Sequence, residues 1–328
     1  MRVSRIVTFV MTIVLLALAA QAQVDPQQRG NRGRGAGEQQ QQTQTTAPAA
    51  AGQQRPAPPP EEKSSVTHHS AKIGGQQINY TATAATYNIK ADDGSPKATF
   101  FFAAYTKDDT DTAKRPLSFV YNGGPGSASS YTHMGLGPKR IVLTDDGFGM
   151  PAPYSIVENG DSFLDVTDLV FVDAISTGYS RPAPGENATQ FYGLEQDATF
   201  FADFIYQFLT RNERWASPKF LIGESYGTTR SAQLSLTLKQ RHQIYLNGIV
   251  LVSSVGFGSW GADDRTIFFL PTLVVSAWYH KVLPPELQKL SVAEVAQRAR
   301  QYAHGEYAAA LEKGDELPAA EYLSLIHI

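Results

Sequence analysis

The clearest chemical signal in this chain is Gly223-Glu224-Ser225-Tyr226-Gly227. A serine flanked by glycines, after a short apolar run and before a helical pattern, reads as a nucleophile elbow. The chain bends so tightly there that a Cβ at the flanking positions would collide with neighbouring backbone. The hydroxyl is left at the tip, and the following N–H and the start of the helix face a developing oxyanion. The bare pattern arises often by chance. Here the strand-like Lys219 to Ile222 precedes it and a helical pattern from Tyr226 to about Gln240 follows. An ordinary strand-to-helix turn is the competing reading.

A second signal, Asn122-Gly123-Gly124-Pro125-Gly126, directly follows the apolar run Leu117 to Tyr121. Consecutive glycines leave backbone N–H groups uncovered, which suits the other half of an oxyanion hole in the loop after an earlier strand. A serine hydroxyl also needs a base, and the base needs an orienting acid. In α/β-hydrolases these follow the nucleophile in the order Asp or Glu, then His. After Ser225 only one strand-like run remains, Gly248 to Val252, before a helical stretch. His242 falls at the end of the elbow helix, His280 and His304 in helical sequence, and His68 and His69 before the core. All read as structural or solvated, and no catalytic Asp or His is assigned.

Together the two motifs resemble the serine carboxypeptidase family, with its N-G-G-P-G loop and G-E-S-Y elbow. Leu136-Gly137-Pro138, Asp168 to Asp173 with Gly178-Tyr179-Ser180, and Leu270-Pro271-Thr272 leading to Trp278-Tyr279-His280 extend the likeness over roughly 66–322. It is nearest to bacterial, cysteine-free members. The resemblance implies Ser225 as nucleophile and the N–H groups of Gly124 and Tyr226 as the oxyanion hole. It also implies that Asn122, Gly123 and Glu224 bind the free C-terminal carboxylate of a peptide substrate, with no cofactor and no metal. Two carboxyl groups in contact cannot both stay ionised, so Glu224 would hold a proton, and binding would improve in acid. This chain departs from the pattern at Val120, where many members have Trp, at Gly135, where they have a second Glu, and at Ser127, where a Cys is common. The carboxylate site thus has two supports fewer, and strict exopeptidase specificity does not carry over with them. His133 and Arg140 are either substitutes or surface and packing residues.

The elements that must position these groups are legible in outline. Gln77 to Ile89 and Ala98 to Tyr105, joined at Asp92-Asp93-Gly94, predict an antiparallel pair. Leu117 to Tyr121 and Leu169 to Val172 predict buried strands. Leu194, Ala198, Phe201, Ile205 and Phe208, spaced by four and three, predict an amphipathic helix. The expected fold class is α/β: an α/β-hydrolase fold with a mixed, mostly parallel sheet and an antiparallel N-terminal part. A helical cap insertion is expected to begin at about 260, with the C-terminal strands missing.

Arg2 and Arg5, the apolar run Ile6 to Ala20 and the small-x-small site Ala20-Gln21-Ala22 predict a signal peptide over 1–22, with export to a bacterial periplasm or beyond. Once it is cleaved, no stable membrane span is expected. Residues 23–65, rich in Gln, Gly, Arg and Pro, read as a disordered linker. Residues 66–322 read as an incomplete hydrolase domain and 323–328 as a non-native tail, so that the 328-residue chain is expected to lack turnover. The net charge of -3 gives no reason to expect a nucleic-acid partner, and the absence of cysteine excludes disulfides and thiolate chemistry. Oligomeric state is open. Two other functions remain: a serine carboxypeptidase-like acyltransferase, and an exported, non-catalytic binding protein on a relict hydrolase fold. A prolyl aminopeptidase fits less well, since that family has His where this chain has Asn122.

Overall fold

A computed structural model describes residues 60–91, 93–255 and 262–318. The predicted signal peptide, the expected non-native tail, most of the expected linker and Asp92 of the predicted turn lie outside these residues. The chain divides into two compact units, one ending at Gly256 and one beginning at Phe257.

The first unit is built on an eight-stranded sheet. Strands β1 (Ser64–Ile73), β2 (Gln76–Lys90) and β3 (Pro96–Lys107) form an antiparallel meander. β4 (Leu117–Tyr121) precedes helix α1 (Ser130–Leu136) and a small hairpin of β5 (Lys139–Ile141) and β6 (Ile156–Glu158). Then come β7 (Asp168–Val172), the short β8 (Arg181–Pro182), α2 (Leu194–Arg211), β9 (Lys219–Glu224), α3 (Tyr226–His242) and β10 (Gly248–Val252). The spatial order is β1-β2-β3-β7-β4-β9-β10, with β8 beside β3. β7, β4, β9 and β10 are mutually parallel, whereas β3 meets β7 antiparallel. This is the predicted antiparallel opening onto a parallel sheet, an α/β-hydrolase fold.

Every residue of β4 and β7 is buried, as expected of central parallel strands covered on both faces. On one face, α2 presents Phe201, Phe204 and Phe208 to Phe100, Phe102 and Phe119 of the sheet, with ring centroids 5.2–6.5 Å apart. At the opposite strand ends, Asp168 opens β7 between two arginines. Arg115 Nε donates to its Oδ1 at 3.0 Å, and Arg214 Nη1 to its Oδ2 at 2.7 Å. Arg115 lies just before β4 and Arg214 between α2 and β9, so one buried carboxylate pins the entry to three adjacent strands.

Two details correct the sequence reading. The structured chain reaches back beyond Val66: Ser64 and Ser65, assigned to the linker, begin β1. Glu62 accepts hydrogen bonds from Arg211 and from the Asn88 N–H, and Pro60 accepts one from the Asn88 side chain. These contacts are backbone and charge pairings that composition does not reveal. The hairpin β5–β6 and helix α1 were also not anticipated.

The second unit is helical, with α4 (Ala262–Tyr279), α5 (Pro285–Gln288), α6 (Val292–Tyr302) and α7 (Ala308–Lys313). Ser291 and Glu294 form a capping box at the start of α6. Trp278 Nε1 donates to the Leu290 carbonyl at 3.0 Å, tying α4 to the turn before α6. Among the described residues, no helix is long and apolar enough to cross a membrane.

Candidate active site

β9 ends at Glu224 and α3 starts at Tyr226, so Ser225 alone makes the bend. Its backbone is at φ 55° and ψ −122°, a region that residues with a Cβ rarely adopt. The surroundings hold it there. Its N–H donates to the Val252 carbonyl at 2.9 Å. Its own carbonyl accepts from the N–H of Thr228 at 2.9 Å and the hydroxyl of Thr228 at 2.7 Å. The backbone of Ser225 is thus fully used, while its hydroxyl makes no capping bond to α3 and the residue is only half-buried.

The glycines are sterically required. A Cβ on Gly223 would lie 2.2 Å from the Gly227 carbonyl oxygen. A Cβ on Gly123 would lie 2.4 Å from the Tyr226 nitrogen and 2.6 Å from the Glu224 oxygen. The double-glycine loop is therefore pressed directly against the elbow. Gly124, the next residue, is exposed at φ 106°.

Asn122 and Glu224 are also brought together, both nearly buried. Asn122 Nδ2 donates to Glu224 Oε2 at 3.2 Å, and its Oδ1 accepts from the N–H and the hydroxyl of Thr132. Burial pushes the Glu224 carboxyl above its ordinary pKa, against the opposing pull of the Gly123 N–H and the Asn122 amide. All six residues singled out in the sequence, Asn122, Gly123, Gly124, Glu224, Ser225 and Tyr226, thus fall in one constellation at the C-terminal ends of β4 and β9.

The sequence reading missed the groups beneath. Arg230 of α3 is buried, with Nε donating to Asp197 of α2 at 2.7 Å and Nη1 to the Asn122 carbonyl at 2.8 Å. Burial pushes the pKa of Asp197 up. The available signal was a charge on the buried stripe Gly227, Ser231, Leu234 and Leu238 of α3. Asp173, at the end of β7, accepts from the N–H groups of Ser129 and Tyr179 and so ties the loop after β4 to the loop after β7. Gly178 leaves room for it: a Cβ there would lie 1.8 Å from its Oδ2.

The histidines are occupied elsewhere. His133 Nε2 lies 2.6 Å from the Tyr105 hydroxyl and its ring stacks on Phe171, where burial lowers its pKa to about 4. It is a neutral packing residue, not a substitute carboxylate partner. Arg140 is exposed in β5 opposite Val157. His242 bonds to Asp203 at 2.7 Å, and His68 to Thr81 at 3.0 Å. None of the described histidines of the first unit hydrogen-bonds to Ser225. A shallow groove on the antiparallel meander, lined by Thr67, His69, Tyr80, Ala82, Ala84 and Tyr105, contains no elbow residue.

The family model of serine carboxypeptidases matches residues 77–304. Among solved structures, the chain is similar to the prohormone-processing carboxypeptidase Kex1 of Saccharomyces cerevisiae, at 21% identity over 69% of this chain and 48% of that one, with a TM-score of 0.44. It is also similar to a proline iminopeptidase of Mycobacterium smegmatis, at 16% identity over 74% of this chain and 66% of that one, with a TM-score of 0.35. The chain therefore spans about half the length of the yeast enzyme. No curated protein matches it.

Proposed function

Because this chain belongs to the serine carboxypeptidase family, we propose that it is a serine-type peptidase that removes C-terminal residues from peptides through an acyl-enzyme on Ser225. The Ser225 oxygen attacks the carbonyl of the last peptide bond as its proton passes to a base. The oxyanion accepts from the N–H groups of Gly124 and Tyr226. The terminal residue leaves as its amine, taking up a proton, and water then hydrolyses the ester. Glu224, protonated, donates to the substrate's free carboxylate beside Asn122 and Gly123.

One observation carries this reading. Ser225 sits at a positive φ with its backbone fully bonded, while Gly123 abuts the Tyr226 nitrogen so closely that only a glycine fits. That arrangement suits two amides converging on one reacting oxygen. The base and its orienting acid are not assigned, since the histidines placed in the first unit are engaged elsewhere.

The test is release of the terminal amino acid from an N-blocked dipeptide, run on the 328-residue chain and on any longer natural form of it. The 328-residue chain, with no base assigned, is expected to show little turnover. Wherever turnover is measured, it is expected to fall by at least ~10⁴-fold in Ser225→Ala, and turnover surviving that change rejects the assignment. Equal cleavage of the C-amidated dipeptide would reject the carboxylate site. Adding an alcohol acceptor separates hydrolysis from acyl transfer. Export to the periplasm with cleavage after Ala22 belongs to the same proposal, and N-terminal sequencing of periplasmic protein tests it.

A further inference from the structure

The scheme above leaves the buried Asp197–Arg230 pair without a task. Removing two charges from water often costs more than their attraction returns, so apolar residues of similar volume would serve packing as well. The contacts of Arg230 suggest another role, because they reach both halves of the site. Its Nη1 holds the Asn122 carbonyl, and its guanidinium lies 5.3 Å from the Tyr226 ring centroid and 5.2 Å from that of Tyr121. Asp197 orients it at Nε.

Asn122 is consequently gripped at two points. Arg230 holds its backbone carbonyl, while Glu224 and Thr132 hold its side chain. The peptide unit between Asn122 and Gly123 is planar, so fixing its carbonyl and the side chain of the residue it leaves restricts the tilt of the plane as well as its distance. The following amide, that of Gly124, then has little freedom, because Gly123 is already jammed against the Tyr226 nitrogen.

We propose that Arg230, oriented by Asp197, is a positioning residue that locks the Asn122–Gly123 peptide so that the Gly124 and Tyr226 N–H groups converge on one oxyanion. This rests on the assignment of Ser225 and those two amides made above. It concerns how the amides are held, not which group attacks.

The experiment compares Arg230→Met, Arg230→Lys and, as a control on the same helix, Arg241→Met, with dipeptide kinetics and thermal melting on each. Arg230→Met is expected to lower kcat about 10²-fold, the cost of a small misplacement at the reacting centre, with KM changed by less than about twofold. Arg230→Lys, which keeps one charged donor, falls between it and the wild type. A kcat no lower than that of Arg241→Met, or a raised KM with kcat intact, overturns the proposal. Amide hydrogen exchange of the fragment spanning 119–127 gives a readout independent of turnover. Arg230→Met is expected to speed exchange there about tenfold while fragments of β3 and α2 stay protected. Acceleration spread evenly over the first unit signals plain destabilisation and also overturns it. Turnover persisting in Ser225→Ala would remove the functional reading while the exchange result still stood or fell by itself.

Discussion

At Glu224, burial and hydrogen bonding pull the carboxyl in opposite directions, and burial prevails. A carboxyl raised in the folded state binds its proton more tightly there than in the unfolded chain. It therefore favours folding below its ordinary pKa, and that contribution is lost as pH rises through the raised value. The substrate carboxylate asks for the same protonated form. The kcat/KM for a blocked dipeptide is expected to fall as pH rises through the Glu224 pKa, and Glu224→Gln, an obligate donor, to flatten that limb. A pH–rate profile unchanged by the substitution would detach Glu224 from binding. Gly123 gives a steric counterpart: its missing Cβ has no space beside the Tyr226 nitrogen. Gly123→Ala should cost about 1–3 kcal/mol in denaturant melts and about 10²-fold in kcat. Gly149→Ala, with open space around it, should stay within about 0.5 kcal/mol of wild type. While the roles of Asn122, Glu224 and Tyr226 came from the resemblance to the family, the two motifs were readable because glycine spacing is a direct record of close backbone approach. Asp197 and Arg230 were not, since a charge on an amphipathic helix reads the same whether it meets water or a partner 33 positions away.

Among the elements, those with a strong period or a continuous apolar run were foreseen: β4 and β7 by unbroken hydrophobicity, α2 by its four-three spacing. β1 was not, because only Ala71 and Ile73 of its ten residues are buried and its pairing to β2 rests on backbone bonds. Helix α1 has seven residues and β5 and β6 three each, too short for any period to register. The role of Asp168 was likewise hidden, although the residue itself was noticed: its partners lie 53 and 46 positions away. It is nonetheless what aligns the starts of β7, β4 and β9. Asp168→Asn leaves two arginines buried without their counter-charge and is expected to lower unfolding free energy by about 3–5 kcal/mol. Urea melts measure that, and a loss under about 1 kcal/mol would show that the strands align without it.

Across the first unit as a whole, the sheet is unevenly covered. Ile249, Val250 and Leu251 of β10 are 38%, 43% and 41% exposed, and among the described residues β10 pairs with β9 alone. An exposed apolar edge strand is a template for pairing between chains. The protein is therefore expected to associate as concentration rises, and Val250→Lys to shift that onset upward in static light scattering while leaving the melting profile nearly unchanged. Association indifferent to Val250→Lys would place the sticky surface elsewhere. The same strand has a second connection. The rung that Val252 offers is taken by the amide of Ser225, so the sheet's outer lath is bolted to the very residue proposed to react. A disturbance of that rim therefore reaches the backbone of the bend through one shared carbonyl.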